Sequence, residues 1–283
     1  MALIPPHYLD CVVAIGADER SHQEAGTDNI TWIGTGFLVG RFFKQEGDST
    51  RYHVFLVTNK HVFSDRQSII LQFNPSNEQA VKTYHVKLTD GEKVLWTGHP
   101  TADAAVALMD PHILKKDERR YNVFRSDQDF VNIDKMASLG ISEGDFVYIL
   151  GYPLGLVDQE RHYVIVRSGV IARIRDVLER RKSDFIIDAS VFPGSSGGPV
   201  ITKPEIVRIE GTECVSRSYL IGIVHSYISY VDSAISAQTQ RVRVTFEENS
   251  GLARVTPSEH ILEAVEAHFN RMEVDADGRL RLK

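Results

Sequence analysis

Eight consecutive residues, Phe192-Pro193-Gly194-Ser195-Ser196-Gly197-Gly198-Pro199, set a serine inside a glycine-lined turn. A serine hydroxyl attacks a carbonyl only when a base takes its proton and positioned donors receive the oxyanion that forms. Gly194 permits turn geometry that a Cβ resists, so the N–H groups of Gly194 and Ser196 can converge on one point. Ser196 is thus the candidate nucleophile, and the Gly194 and Ser196 amides form the candidate oxyanion hole. Surface turns share this composition, so the chemistry needs partners elsewhere in the chain.

The base has to come from eleven histidines. Residues 51–59 read RYHVFLVTN, an apolar and β-branched run of strand character, and Lys60-His61-Val62-Phe63 follows at once. A histidine just past a core strand is held by rigid backbone yet faces a cleft, which singles out His61. His53 lies within the strand, His260 and His268 on a C-terminal helix, and His22, His99, His112 and His162 in stretches that read as loops. No pair has metal-ligand spacing with carboxylate or cysteine support, so neither a metal nor a cofactor is expected. The third member is Asp103, at the mouth of the apolar segment Ala104-Ala105-Val106-Ala107-Leu108-Met109. A buried aspartate there needs a hydrogen-bonded partner, and His61 can supply one.

The order His61, Asp103, Ser196 is that of the chymotrypsin-like fold, not of subtilisins or α/β-hydrolases. Segments spread along the chain carry a wider likeness. Gly34-Thr35-Gly36-Phe37-Leu38-Val39, Leu56-Val57-Thr58-Asn59-Lys60-His61-Val62 and Asp103-Ala104-Ala105-Val106-Ala107-Leu108 come first. Residues 144–155 and Ser168-Gly169-Val170-Ile171 follow, then the serine segment preceded by Ile187-Asp188-Ala189, and finally residues 251–258. In family order over residues 8 to 270, these motifs make the chain similar to a trypsin-like serine peptidase. It most resembles the bacterial HtrA/Deg type without its PDZ domain. The resemblance implies an all-β fold of two six-stranded antiparallel β-barrels, with the cleft between them and a C-terminal α-helix. It also implies Ser196 as nucleophile, His61 as general acid–base and Asp103 as orienting carboxylate. The residues themselves give a compatible pattern. Short β-rich runs recur at 30–43, 52–58, 67–74, 81–88, 93–97 and 103–109, then at 145–152, 162–174, 184–190, 198–202, 217–229 and 241–246.

Two departures from digestive trypsins bear on regulation and specificity. Ser195 stands where an aspartate would pair with a newly cut N-terminus, so control by loop ordering or a protein partner is expected instead. Ser190 takes the place six residues before the nucleophile where an acid would read Lys or Arg, which favours small or medium apolar residues. His225 and Tyr227 complete the expected substrate pocket, His225 as a wall residue or a reader of polar side chains.

The domain reading is one peptidase domain over 1–270: a barrel at about 8–125, a second at about 141–256, a helix at 257–270, and a polar tail at 271–283. Thr256-Pro257-Ser258-Glu259 reads as a capping box opening that helix, whose apolar face holds Ile261, Leu262, Val265 and Phe269. The tail alternates about Asp277-Gly278, a hairpin-turn pair. Residues 115–120 read as a solvated loop, and 173–182 as a hairpin tip or short helix. With 32 Lys and Arg against 38 Asp and Glu, the net charge of −6 leaves no basic footprint for nucleic acid. No apolar run reaches the roughly 20 residues of a membrane span. Residues 1–6 lack the basic start of a secretory leader, and Cys11 and Cys214 are the only cysteines, so a cytoplasmic home is expected. The expected function is a serine endopeptidase acting on proteins through an acyl-enzyme, with activation by a partner as a variant. The alternative is a catalytically silent protease-fold binding or scaffold module.

Overall fold

The computed structural model describes residues 3–18, 30–47, 49–77, 80–158, 160–205, 215–274 and 280–282. Apolar runs such as residues 54–58 (VFLVT) are buried on both faces of their strand, which requires layers above and below it. The chain meets this with two β units packed together.

The N-terminal unit contains β1 (Val12–Asp18), β2 (Ile30–Glu46), β3 (Ser49–Thr58), β4 (Ser68–Phe73) and β5 (Lys82–Lys87). After the short ladder of β6 (Thr89–Asp90) and β7 (Lys93–Val94) come β8 (Trp96–Gly98), β9 (Ala105–Met109) and β10 (Phe124–Arg125). Their order is β5-β4-β1-β2-β3-β9-β8, with β10 parallel on β2. This unit is a curled sheet of eight strands rather than the closed six-stranded barrel expected. The reason lies between β5 and β8, where β6 and β7 pair with each other and bridge neither edge.

The C-terminal unit is a closed six-stranded barrel. Its strands are β11 (Phe146–Gly151), β12 (Ile165–Arg173), β13 (Phe185–Asp188), β14 (Pro199–Thr202), β15 (Leu220–Ile235) and β16 (Val242–Pro257), joined β11-β12-β13-β16-β15-β14. Residues 241–246 and 251–256, separate segments in the sequence, are thus one strand. Beyond the Ser229–Asn249 pair, β15 and β16 leave the barrel as a two-stranded ribbon. The architecture is the chymotrypsin-like pair of β units, one closed and one open.

Among the described residues, six α-helices accompany the sheets: α1 (Pro6–Leu9), α2 (Lys60–Phe63), α3 (Pro111–Lys116), α4 (Ile133–Ser138), α5 (Arg175–Leu178) and α6 (Ser258–Asn270). His112, Lys115 and Lys116 lie in α3 rather than in loops, where Asp110 accepts the His112 amide as N-cap. Residues 173–182 contain α5, the short-helix reading. The capping box does not form. The Thr256 hydroxyl donates to Asp184 Oδ1 at 3.0 Å, Ser258 Oγ donates to the Val131 carbonyl, and Glu259 accepts the Ile133 amide. Tertiary partners have claimed all three side chains. Ile261, Ala264 and Val265 of α6 are buried in a cluster that spans both units with Phe37, Phe55, Leu150 and Ile223. Each fully buried side chain of this size contributes about 1.5–3 kcal/mol. The tail forms β17 (Met272–Val274) paired with β18 (Leu280–Leu282), while Asp277-Gly278 lies outside the described residues. Among the described residues, no helix is long and apolar enough to cross a membrane.

Candidate active site

His61 owes its place to the end of β3. Thr58 Oγ1 donates to the Thr35 carbonyl at 2.7 Å, and Asn59 Nδ2 donates to the Asp103 carbonyl at 2.6 Å. These two bonds tie the strand end to the N-terminal sheet and to the Asp103 loop. The chain then turns into α2, presenting a half-exposed imidazole. Asp103 meets it twice: Oδ1 accepts the His61 amide at 3.3 Å and Oδ2 pairs with Nδ1 at 2.7 Å. Burial pushes the Asp103 carboxyl up, but the hydrogen bonds and charge of His61 outweigh it and hold the group below the usual aspartate range. An ionised Asp103 can only accept, so Nδ1 carries a proton, and in the neutral ring the lone pair lies on Nε2.

The serine loop is fixed by backbone bonds to both units. Thr35, fully buried, donates its amide to the Ser196 carbonyl at 2.8 Å and its hydroxyl to the Gly194 carbonyl at 2.7 Å. The same hydroxyl accepts the Tyr152 amide at 3.0 Å. Gly197, at φ +87°, lies so close that a Cβ would stand 1.9 Å from the Thr35 oxygen. Gly194, at φ +92°, leaves no room either, since a Cβ would stand 2.5 Å from the Tyr152 oxygen.

The orientation of the Gly194 amide follows from its neighbour. The Pro193 carbonyl accepts the Leu154 amide at 2.6 Å, so it points toward the turn at Pro153–Gly155. Across a trans peptide the following N–H points the opposite way, and no cis bond occurs among the described residues. The Gly194 and Ser196 amides donate to no acceptor among the described residues, whereas those of Ser195, Gly197 and Gly198 donate to Phe192, Val224 and Ser195. Two free donors therefore flank the serine side chain.

Ser196 Oγ donates to the His225 carbonyl at 3.4 Å and makes no hydrogen bond to His61, although the sequence placed the two in direct reach. The cleft beside it is lined by Val191, Phe192, Gly194, Ser196, His225 and Tyr227 among others. His225 and Tyr227, expected as pocket residues, both line this cleft. Ser190 is exposed and does not line the cleft; the buried Val191 takes that wall. Both residues lie past the end of β13, in the irregular segment that leads into the serine loop.

A family model described as the trypsin-like peptidase domain matches residues 34–205, more than half of the chain. The chain belongs to the trypsin-like peptidase family. The matched range holds His61, Asp103 and Ser196, and it stops short of β15, β16 and α6. No curated protein matches the chain. Among solved structures it is similar to the MamO protease domain from Magnetospirillum magneticum in its apo form. That likeness is 15% in sequence, covers 91% of this chain and 97% of the other, and has a TM-score of 0.44.

Elsewhere the peptidase domain gathers His99, His260 and Glu263, which the sequence did not connect. His99 Nδ1 accepts the Ala102 amide at 2.9 Å and the Thr101 amide at 3.3 Å. Its proton is therefore on Nε2 and is donated to Glu263 Oε2 at 2.9 Å. That tautomer has no lone pair left on Nε2 for a cation, so the trio is a brace between α6 and the loop that ends at Asp103. Sequence reasoning also missed Thr35 and Asp184 as supports. The signal for Thr35 was a polar residue flanked by glycines inside an apolar strand. Asp184 gave none.

Proposed function

We propose that the chain is a serine endopeptidase that hydrolyses peptide bonds in protein substrates. In this reading His61 Nε2 takes the Ser196 proton, and Ser196 Oγ attacks the scissile carbonyl. The oxyanion is received by the Gly194 and Ser196 amides, and water releases the acyl-enzyme with His61 in the reverse role. The observation that carries the reading is the pair of amides beside Ser196 that meet no acceptor among the described residues, the Gly194 one oriented by the Pro193–Leu154 hydrogen bond. The closed His61–Asp103 pair supports it. Trypsin-like family membership fits it, and the pocket walls Val191 and Tyr227 suit a small or medium apolar side chain. The low cysteine content fits work in a reducing compartment.

One observation favours a second reading, a silent protease-fold scaffold or a form switched on by a partner. The Ser196 hydroxyl rests on the His225 carbonyl instead of His61. Catalytic hydrogen bonds are often long without substrate and tighten only in the complex, so the resting position is compatible with activity. A fluorophosphonate probe decides between them. The wild-type chain is expected to be labelled at Ser196, and Ser196→Ala to lose labelling with turnover down roughly 10⁴–10⁶-fold. Equal labelling of Ser196→Ala would overturn the site, and an inert wild type would leave the scaffold.

A further inference from the structure

His225 is the residue at which β15 slips its register. Val224 pairs with Val255 and Ser226 with Arg254, so His225 is the extra residue of a β-bulge. A bulge re-aims a side chain that regular alternation would send elsewhere. Here it sends the ring between two carboxylates: Nδ1 lies 4.0 Å from Asp103 Oδ2, and Nε2 lies 3.6 Å from Asp184 Oδ2. The Nε2 atom is buried and has no hydrogen-bond partner. Asp184 is itself anchored, its Oδ1 accepting the Thr256 hydroxyl on β16 at 3.0 Å. The main-chain carbonyl of the same His225 meets Ser196 Oγ. One residue thus touches the nucleophile through its backbone and faces the orienting carboxylate through its side chain.

We propose that His225 is a positioning residue, a second histidine that holds Asp103 in place for His61 and is itself held by Asp184. The physical case is electrostatic. Two carboxylates on one side of a cleft disfavour each other's ionisation unless a donor lies between them. Asp103 must stay ionised to keep the proton on His61 Nδ1. The His225 ring is in ion-pair range of both acids, and Asp184, outside the cleft lining, has no evident role toward substrate. The resulting chain runs Thr256, Asp184, His225, Asp103, His61.

The inference rests on the peptidase reading, and its test separates the two. In steady-state kinetics on a small ester, His225→Leu and Asp184→Asn are each expected to lower kcat about tenfold, and Asp184→Asn, outside the cleft lining, to leave KM within about twofold. The double variant is expected to fall no further than His225→Leu alone, because the two act through one chain. His225→Gln, which restores an N–H near the Nε2 position, should recover part of the loss. A readout independent of turnover is the low-field proton of the His61–Asp103 hydrogen bond in NMR spectra, expected to shift or vanish in His225→Leu and in Asp184→Asn. An unchanged low-field proton in both variants, or wild-type kcat in Asp184→Asn, would overturn the proposal. A wild type that labels no probe, with the low-field proton still shifting or vanishing in the two variants, would sink the peptidase reading and leave the positioning role standing.

Discussion

Thr35 joins both β units to the serine loop with three hydrogen bonds, and two of them pass through one hydroxyl. Replacing it with valine keeps the shape and strands the Gly194 carbonyl and the Tyr152 amide in a buried site. An unpaired buried polar group costs about 1–3 kcal/mol. Thr35→Val is therefore expected to lose about 2–4 kcal/mol in denaturant unfolding and to slow Ser196 labelling, while Thr35→Ser retains most of both. Full stability in Thr35→Val would mean that the hydroxyl holds nothing. At this scale the sequence singles out the candidate triad and says little about its supports. His61, Asp103 and Ser196 announce themselves by type, local strand context and order. Thr35, Asp184 and the ring of His225 act on partners more than 40 residues away, and no local pattern encodes such a pairing.

Among the elements, α6 shows how a helix can be read correctly on its face and wrongly at its end. The 3.6-residue spacing of Ile261 and Val265 identified the buried stripe. The capping box failed because Thr256, Ser258 and Glu259 found partners on other strands and loops, which a four-residue motif cannot foresee. The same helix carries a buried titratable group. His268 is fully buried, its Nδ1 lies 2.7 Å from Thr97 Oγ1, and that oxygen accepts from Arg271, so the Thr97 proton goes to the histidine. Burial, with the Arg271 charge added, brings His268 from the ordinary 6.5 down to about 4. The unfolded chain then binds a proton that the native state refuses between those values. Stability from this group is intact above about pH 6.5 and falls as pH drops toward about 4. His268→Asn keeps an acceptor for Thr97 and cannot charge. Between pH 7 and pH 4.5 the wild type is expected to lose roughly 2 kcal/mol more than the variant in urea titrations. Parallel losses would show that His268 does not control the acid side.

For the whole molecule, the two-unit β architecture was readable because strand-length apolar runs recur with turn residues between them. The incomplete closure of the first unit was not, since it depends on β6 and β7 choosing each other over the sheet edges. The ribbon of β15 and β16 was also hidden, because 226–250 keeps strand composition without any core to face. In the ribbon, Tyr230, Val242, Val244 and Phe246 are all exposed, and no residue from 230 to 250 is buried. An isolated two-stranded hairpin is marginal in water and gives the barrel little. Replacing residues 230–248 with Asn-Gly would join Ser229 to Asn249 across their existing pair. The variant is expected to melt within about 2 °C of the wild type, since almost no apolar area changes its surroundings. Calorimetry checks this directly. A fall of about 8 °C or more, equivalent to some 2–4 kcal/mol at this chain length, would mean that the ribbon braces the barrel at Ser229 and Asn249. In that case the hairpin would have to be counted with the elements that hold His225 and the serine loop in place.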